Sequence, residues 1–452
     1  MTLQAGKPNI IVVTVDALRG DRMGFMGYKK KLTPNFDALA RDGAWFRHAY
    51  STGTSSPQSF AGIMTSTYPL EYGGYSQIEK PRVLISEVMQ RAGYWTAGIH
   101  SSPYLSEYFG YDKGWDYFRF ASPLPKSGIS PGRIKGTVQA RILRIISAIH
   151  RSLKPLKFLD GIFGILERVA FIVRKIIKDM FHFIPAYFTA LELNSEVKGL
   201  LKERSSGKPL YLWIHYMDMH PPYALFAHTT GGFLLFLEHH LADVTMHLFS
   251  GRVRRLFNPL YEYLYDRSLA HVDRAFGELR NMLEQAGLLR NAVIVITADH
   301  GEEFYEHGGF THTPRLYNEN IRVPLILWGV DLRGSIERPV SLIDIAPTIA
   351  GLAKTSSPST YRGKSLFEVS PRDVLSVATG HEADLTGITC LGCAIVAQGH
   401  KLIAMRSKDG TTHELFSVND DGEKRNCAAS HSGIVRELTE RISKAEYLLP
   451  SD

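Results

Sequence analysis

Three short apolar segments, each followed at once by acidic or histidine residues, most constrain how this chain folds. They read PNIIVVTVDALRGD, KPLYLWIHYMDMHPPY and NAVIVITADHGEE, near residues 16, 215 and 299. Runs rich in β-branched residues and without polar alternation are typical of strands buried on both faces of a parallel sheet. The three segments therefore predict buried parallel strands whose carboxyl ends carry polar residues.

Helix-forming stretches separate these strands. TPNFDALARDGAWF follows the first strand, and YDRSLAHVDRAFGELRNMLEQAG precedes the third. An alternation of apolar strands with helices predicts an α/β fold in which helices flank a mainly parallel central sheet. Ligands of such sheets bind in a crevice beyond the carboxyl ends of the strands. We therefore expect the polar residues of the three segments to meet in one site.

The composition excludes a disordered or disulfide-rich chain. Its 452 residues are 44% hydrophobic and 21% charged, and it has three cysteines, which is the profile of an ordered globular protein. Cys390 and Cys393 have the spacing of a redox or metal motif. They lie in the apolar, strand-like run TGITCLGCAIV, however, which favours ordinary core residues. The first apolar run is only seven residues long, too short for a secretory leader, so we expect a cytoplasmic protein.

Residues 126–188 interrupt the alternation with a basic, amphipathic segment. They contain twelve lysine or arginine residues against three acidic ones, a larger excess than the whole chain's net charge of +7. These charges recur too often for a membrane span. The segment is typical of a helical lid on a catalytic core, or of a surface for peripheral membrane contact, which the apolar patch at 231–249 also favours. No nucleic-acid motif accompanies the charge, so we expect no nucleic-acid partner.

Asp16, Asp299 and His300 are the first candidates for chemistry. Carboxylates and imidazoles at the ends of buried strands are costly without a partner, and a divalent cation is the usual partner. Each residue alone has a plainer explanation, because Asp16 can cap a helix at ALRGD and His300 can be a satisfied core histidine. Together, TVDALRGD and TADHGEE favour a metal site.

Seven motifs occur in an order that resembles the sulfatase family of the alkaline-phosphatase-like superfamily. They are NIIVVTVDALRGDRMGFMGY with the helix after it, TSTYP, GYWTAG, HYMDMHPPY, ITADHGEEFYEHGG, LYNENIRVPLILWG and SLIDIAPTIAGL. The resemblance covers residues 8–122 and 205–366 and implies the fold of that superfamily. We expect a catalytic domain at 1–370, with a basic helical insert at 126–200, and a smaller C-terminal subdomain at 371–452.

The resemblance implies one divalent metal that holds a nucleophile, which attacks the sulfur or phosphorus of an ester. In sulfatases the nucleophile stands in a C/S-x-P-x-R stretch, nine residues before the Thr of a T-G-x-Y-P-like motif. Ser56 stands nine residues before Thr65 and is our candidate nucleophile. Ser55, whose register keeps the proline, and Thr54 are the alternatives. The implied metal ligands are Asp16, Ser56, Asp299 and His300.

Several positions depart from the sulfatase pattern. Gln58 and Phe60 stand where the modification signature has Pro and Arg, and residues 101–103 (Ser-Ser-Pro) replace a Lys-x-His pair that holds sulfate. An unmodified serine lacks the formylglycine chemistry of family sulfatases, but it can form a phosphoseryl intermediate that water resolves. We therefore expect no formylglycine, and phosphoryl chemistry is favoured. A histidine ligand where Asn is more usual makes Mn²⁺ or Zn²⁺ as suitable as Ca²⁺.

Three histidines are candidates for substrate binding. His220 in MDMHPPY matches the family's ester-oxygen-binding His, and His312 falls where many relatives have a Lys that touches the bridging oxygen. With an ordinary pKa of about 6.5, His312 suits a general acid, so these two are also catalytic candidates. His307 in EHGG is the third, with a structural role in its loop as the alternative. We expect His215 in the core, and Asp218 either orienting the histidine of MDMH or holding a second metal.

Three functions are consistent with these residues. The first is a metal-dependent hydrolase of sulfate or phosphate esters, phosphodiesters included, that acts through a covalent Ser56 intermediate on a small-molecule, glycan or lipid ester. The second is a phosphotransferase that passes the same intermediate to a lipid or glycan acceptor. The third is a binding protein that has lost catalysis. The absence of the signature Arg and of the Lys-x-His pair favours this third function. The retention of all four implied metal ligands argues against it.

Overall fold

A computed structural model of the chain describes residues 6–121, 187–204, 207–221, 223, 251–380 and 389–445. Residues 1–121, 187–226 and 258–452 belong to one compact unit, and residues 122–186 and 227–257 belong to a second. Of the second unit, the description covers residues 251–257. The basic segment predicted at 126–188 and the apolar patch at 231–249 therefore lie almost wholly outside the described residues.

The described elements alternate between strands and helices for most of the chain. The strands are β1 (Asn9–Val15), β2 (Ala44–Phe46), β3 (Ala49–Tyr50), β4 (Trp95–His100), β5 (Tyr117–Phe120), β6 (Leu210–Tyr216), β7 (Ala292–Ala298), β8 (Glu303–Phe304), β9 (Phe310–Thr311), β10 (Arg322–Val323), β11 (Leu325–Trp328), β12 (Gly334–Ile336), β13 (Val340–Ser341), β14 (Val374–Gly380), β15 (Thr389–Ala397), β16 (His400–Ser407) and β17 (Gly410–Ser417). The α-helices are α1 (Pro34–Asp42), α2 (Ser56–Thr65), α3 (Ile85–Arg91), α4 (Ala190–Glu203), α5 (Gly251–Leu256), α6 (Asn258–Gln285), α7 (Asn318–Ile321), α8 (Ile345–Leu352) and α9 (Ser432–Lys444). Within the described ranges, no helix combines the length and the apolar character that crossing a membrane requires.

The central sheet has eight strands in the order β12-β2-β11-β7-β1-β6-β4-β5. β1 pairs in parallel with both β6 and β7, and β4 pairs in parallel with β5 and β6. β11 is antiparallel to its two neighbours, β2 and β7. The residues of β1, β6 and β7 are buried almost throughout, as their β-branched runs require. The predicted α/β fold with a mainly parallel central sheet is confirmed.

Helices pack on the sheet and on one another in two groups. α6 contacts both α1 and α4, and α8 contacts both α2 and α3. Between α1 and α6, the buried rings of Phe36 and Phe276 stack with their centroids 4.8 Å apart. Asp273 of α6 also accepts hydrogen bonds from the amides of Asn35 and Phe36. This carboxylate caps the N-terminus of α1 and fixes it against α6.

The register of the central strands brings their carboxyl ends to one edge. Val15, the last residue of β1, pairs with Ala298, the last residue of β7. Asp16 and Asp299, the next residues along each strand, are therefore neighbours at that edge. The crevice expected beyond the strand ends lies here.

Strands β14 to β17 form an antiparallel sheet near the C-terminus. This sheet begins close to the boundary predicted at residue 370, and it shares a buried apolar cluster with residues from the rest of its unit. The cluster consists of Tyr50, Leu316, Ile321, Val374, Ala378, Ala394, Val396, Ile403 and Phe416. Gly53, in the loop before α2, also forms a bridge with Val377 of β14. The C-terminal sheet thus supports the loop that leads to Ser56.

Candidate active site

Asp16, Asp299 and His300 lie together beyond the carboxyl ends of β1 and β7. One side-chain ligand atom from each lies within 4.8 Å of the others, and no member of the group is more than 1% exposed. Nε2 of His300 lies 3.9 Å from Oδ1 of Asp16 and 3.7 Å from Oδ2 of Asp299. The structure thus brings together three of the four residues that the sequence indicated as metal ligands.

Asp299 and His300 each have one side-chain atom that is hydrogen-bonded to the backbone. Their second polar atom is left available to the group. Oδ1 of Asp299 accepts hydrogen bonds from the amides of Ala17 at 3.2 Å and His300 at 2.9 Å. Nδ1 of His300 lies 2.8 Å from the carbonyl oxygen of Gly301, so Nδ1 donates and Nε2 carries the lone pair. Oδ2 of Asp16 and Oδ2 of Asp299 are buried and have no hydrogen-bond partner in the described part of the chain.

Burial and like charge make this group unfavourable without a cation. Burial, together with the charge of Asp299, raises the pKa of Asp16 well above its ordinary value. Burial lowers the pKa of His300 to about 3, so its imidazole is neutral near pH 7. Two orphaned carboxylate oxygens and a neutral imidazole are suitable ligands for Mn²⁺ or Zn²⁺, and the oxygens also suit Ca²⁺. The residues present therefore fit a divalent metal.

Ser56 is the first residue of α2, and its hydroxyl contacts the same group. The chain enters α2 with extended backbone at Ser55, and Pro57 has the fixed φ that suits a first helical turn. Oγ of Ser56 donates a hydrogen bond to Oδ1 of Asp16 at 3.1 Å. Oγ of Ser55 is buried and has no hydrogen-bond partner among the residues described. The hydroxyl at 56 therefore lies beside a candidate metal ligand.

Gln58, the first departure from the sulfatase signature, braces the loop before Ser56. Its Oε1 accepts a hydrogen bond from the amide of Thr54 at 2.9 Å, and its Nε2 donates to Oγ1 of Thr379 at 2.6 Å. A Cβ on Gly53 would lie only 2.3 Å from that Oε1, so the glycine leaves the room that this side chain needs. The side chain thus joins the loop before Ser56 to β14 of the C-terminal sheet.

Phe60, the second departure, is a core residue. It is fully buried and packs edge-on against Trp213 and His215, at centroid distances of 5.7 Å and 4.8 Å. His215, expected in the core, is fully buried with its Nδ1 3.0 Å from Oγ1 of Thr14. Burial lowers the pKa of His215 to about 4. Two neutral aromatic rings therefore pack against the position at which sulfatases have an arginine.

His220 and His312 stand beside the cluster. The ring centroid of His312 lies 4.8 Å from that of His300 and 5.8 Å from that of His220. Burial alone would lower the pKa of His312, but the carboxylate of Glu302, 3.5 Å from Nδ1, raises it to about 9. Burial and the neighbouring His312 lower the pKa of His220 to about 4. A cationic and a neutral imidazole thus lie side by side.

Two residues beside these histidines were not predicted. Glu302 is fully buried next to His312, and its place in the DHGEE motif was a signal for it. The ring of Tyr187 lies 5.3 Å from that of His220. Burial and the charge of Asp16 raise the pKa of Tyr187 to about 12. No motif surrounds Tyr187, so nothing in the sequence marked it.

His307 and Asp218 have partners outside this group. The ring of His307 stacks on Tyr317 at a centroid distance of 3.7 Å, and its Nδ1 lies 2.6 Å from Oε1 of Glu319. Oδ2 of Asp218 accepts a hydrogen bond from the amide of Ala190 at 2.8 Å, at the start of α4. Substrate binding by His307 stays a prediction, as do the two roles considered for Asp218. Their contacts favour structural roles in a loop and at a helix end.

Comparisons with known proteins relate the chain to a family and to solved structures. Residues 8–355 match the sequence model of the sulfatase family. An ulvan-active sulfatase of Formosa agariphila is 22% identical over 379 residues, which cover 80% of this chain and 65% of that protein, so the chain spans less than two thirds of its length. A solved protein in complex with its substrate D-glucosamine-2-N,6-O-disulfate aligns over 98% of both chains, with a TM-score of 0.67 and 20% identity.

The phosphonate monoester hydrolase of Agrobacterium radiobacter aligns over 98% of this chain and 96% of its own, with a TM-score of 0.66 and 17% identity. At such identities the two solved structures show a shared fold. The family model adds the sequence relationship, because it matches most of the length of the chain. The chain belongs to the sulfatase family.

Proposed function

We propose that the chain is a metal-dependent hydrolase of sulfate or phosphate esters that acts through a covalent intermediate on Ser56. One observation carries the proposal: the hydroxyl of Ser56 donates a hydrogen bond to Asp16, within the buried group that also contains Asp299 and His300. A serine hydroxyl is a weak nucleophile unless a neighbour accepts its proton. The hydrogen bond from Ser56 supports Asp16 as that acceptor.

The side chains around the hydroxyl supply the other parts of the reaction. Asp16, Ser56, Asp299 and His300 would hold the metal, which when bound polarises the ester oxygens and stabilises the charge that develops on them. His312 offers a proton on a cationic imidazole, and Glu302 holds that ring by its Nδ1. His220 and Tyr187 add a neutral imidazole and a phenol for binding the ester oxygens.

In the first step, Oγ of Ser56 forms a bond to sulfur or phosphorus, and the bond to the alcohol oxygen breaks. The proton of Ser56 passes along its hydrogen bond to Asp16, and His312 gives a proton to the departing alcohol. In the second step, water attacks the same sulfur or phosphorus atom and gives a proton to His312. The oxygen of Ser56 then leaves and takes its proton back from Asp16, which restores the starting state.

The serine at position 56 favours phosphoryl over sulfuryl transfer. Gln58 and Phe60 occupy two positions of the formylglycine signature and are packed into the loop and the core, so we expect an unmodified serine. A phosphoseryl intermediate is resolved by a second displacement and needs no aldehyde hydrate. The phosphonate monoester hydrolase of the same fold supports phosphorus esters as substrates, and the disulfated glucosamine complex supports a sugar as the alcohol.

A panel of esters tests this proposal. The purified chain is exchanged into Ca²⁺, Mn²⁺ or Zn²⁺ and assayed with 4-nitrophenyl sulfate, 4-nitrophenyl phosphate, bis(4-nitrophenyl) phosphate and 4-nitrophenyl phenylphosphonate. We expect metal-dependent release of 4-nitrophenol, faster from a phosphorus ester than from the sulfate. Turnover of none of the four esters with any of the three metals would contradict the proposal.

Mass spectrometry separates the chemical alternatives. The intact mass should correspond to an unmodified serine at 56, and acid quenching during turnover should leave a phosphoryl group on the peptide that contains it. Formylglycine at 56 would reverse the preference for phosphoryl chemistry. Transfer to an added polyprenol or glycan alcohol in preference to water would identify a phosphotransferase instead.

A further inference from the structure

Cys390 and Cys393 lie in β15, outside the site described above, and their sulfur atoms are 3.8 Å apart. Both are free thiols, and both residues are buried. In a regular strand, residues three apart point to opposite faces of the sheet. The contact between the two sulfur atoms therefore needs a local cause.

The cause is a β-bulge. Ala378 of β14 pairs with Gly392 of β15. The following residue, Thr379, pairs with Cys390, so Leu391 has no partner across the ladder. An extra residue of this kind resets the alternation of side chains along the strand. The two cysteines consequently face the same side.

The two thiols differ in acidity. The hydrogen bond from Cys393 lowers the pKa of the Cys390 thiol, with help from Arg406 and against the effect of burial. The same contact raises the pKa of Cys393. The thiolate is the attacking form of a cysteine, so a lowered pKa favours Cys390 as the attacking group.

We propose that Cys390 and Cys393 are a redox-active dithiol that closes to a reversible disulfide by exchange with a low-molecular-weight disulfide, and that this disulfide changes the loop that carries Ser56. The thiolate of Cys390 attacks one sulfur of the small disulfide, whose S–S bond breaks and releases one small thiol. Sγ of Cys393 then attacks Sγ of Cys390, and the second small thiol leaves. Two electrons pass from the cysteines to the small disulfide, and their two protons end on the two released thiols.

Closure needs only a short movement. The sulfur atoms must approach from 3.8 Å to about 2.05 Å. Because both side chains already face the same side of the strand, rotation about their χ1 angles and a small change at the bulge bring the atoms together. In a regular strand the two side chains would lie on opposite faces of the sheet, and one of them would have to move to the other face before a disulfide could form.

The bulge is joined to the loop before Ser56 by hydrogen bonds. Thr379, the ladder partner of Cys390, accepts a hydrogen bond from Nε2 of Gln58. Oε1 of Gln58 accepts a hydrogen bond from the amide of Thr54, two residues before Ser56. A disulfide that reshapes the bulge therefore moves the acceptor that holds Gln58. This inference goes beyond the proposed ester hydrolysis and does not depend on it.

Redox titration of the full chain with oxidised and reduced glutathione tests the disulfide. The reduced chain should have three alkylatable thiols, and the oxidised chain should have one, at Cys427. Residues 373–401 form one tryptic peptide that contains both cysteines, and its mass should fall by two hydrogen atoms on oxidation. The Cys427→Ser variant should behave in the same way, whereas Cys393→Ala should stop at a mixed disulfide with glutathione on Cys390.

Hydrogen–deuterium exchange of a peptide spanning residues 52–60 tests the coupling without any activity assay. We expect its slowest amides to exchange about fivefold or more differently in the oxidised and reduced chains. Cys393→Ala, treated with the same glutathione mixtures, should show no such difference. Three alkylatable thiols at every glutathione ratio, or a disulfide that leaves exchange at 52–60 unchanged, would overturn the proposal.

Discussion

The hydroxyl of Ser56 donates a hydrogen bond to Oδ1 of Asp16 at 3.1 Å, across 40 residues of sequence. β1 brings Asp16 to the carboxyl edge of the central sheet, and α2 begins with Ser56 at the same edge. The first turn of a helix of this length attracts anions through its amides and its dipole. In the proposed reaction, the charged group of an ester would thus be attracted to the point at which the hydroxyl attacks.

Alanine at position 56 should abolish turnover and leave the fold intact. Ser56→Ala removes the attacking oxygen, and we expect kcat to fall by about 10³-fold or more on 4-nitrophenyl esters. Bound metal, measured by mass spectrometry of the elements, should persist because Asp16, Asp299 and His300 remain. Ser55→Ala is the matched control, since that hydroxyl has no hydrogen-bond partner in the described chain. Comparable turnover in Ser56→Ala and the parent would remove Ser56 from the mechanism.

The meeting of Asp16, Asp299 and His300 was predictable from the sequence because these residues follow strands. Asp16 and Asp299 each come directly after a β-branched run, and neighbouring parallel strands end at one edge. The apolar pattern that predicts the strands therefore also predicts that these residues meet. Ser56 required the spacing to the TSTYP motif, because a loop and a helix start carry no periodic signal.

Other contacts could not be predicted from the pattern of residues in the sequence. Tyr187 reaches His220 from the segment before α4, and that segment has no motif. The bulge at Leu391 arises from the pairing of two strands, so an apolar run such as TCLGCAIV does not reveal it. The sequence therefore predicted a strand around Cys390 and Cys393 but not the contact between their sulfur atoms.

Loss of the Asp299 carboxylate should stabilise the metal-free protein and destabilise the protein in the presence of metal. The charge of Asp299 contributes to the raised pKa of Asp16, and each unit of pKa that is relieved corresponds to about 1.4 kcal/mol. Asp299→Asn should therefore melt at a higher temperature than the parent in EDTA. With the metal in about hundredfold excess over its Kd, binding adds about 2.7 kcal/mol to the folded parent, which should then be the more stable protein. Calorimetry that ranks the two proteins identically in both buffers would contradict a metal site here.

Restoring the family's arginine at position 60 should destabilise the protein rather than activate it. Phe60 lies fully buried against Trp213 and His215, and none of these contacts offers a carboxylate. Phe60→Arg should cost about 3–5 kcal/mol, because it buries an unpaired charge. Phe60→Leu, the matched apolar control, should cost less than about 1.5 kcal/mol. Urea denaturation measures both values, and an arginine variant of parental stability would show that the departure from the family is not structural.

The ion pair between His307 and Glu319 should make stability depend on pH. Burial would lower the pKa of His307, but the hydrogen bond and the charge of Glu319 at 2.6 Å raise it. The folded state therefore holds this proton more tightly than the unfolded state, in which the pKa is about 6.5. The resulting stabilisation is complete below about pH 6.5 and is lost as the pH rises through the higher folded pKa.

Glu319→Gln tests this dependence because it keeps an oxygen acceptor and removes the charge. We expect the variant to lose about 1 kcal/mol of unfolding free energy near pH 6 and much less near pH 9. Urea denaturation at the two pH values measures the difference. An equal loss at both would show that the charge of His307 does not contribute.

Replacement of His312 should affect poor leaving groups most. A general acid matters when the alcohol cannot depart as an anion, so an alkyl or sugar ester depends on the proton from His312 and a 4-nitrophenyl ester does not. His312→Asn should lower kcat/KM for a sugar phosphate or sulfate by about 10²–10⁴-fold and for the matching 4-nitrophenyl ester much less. His312→Lys restores a cationic proton donor beside Glu302 and should recover part of the loss on the sugar ester alone. Equal losses on both esters would mean that His312 positions the substrate and does not supply the proton.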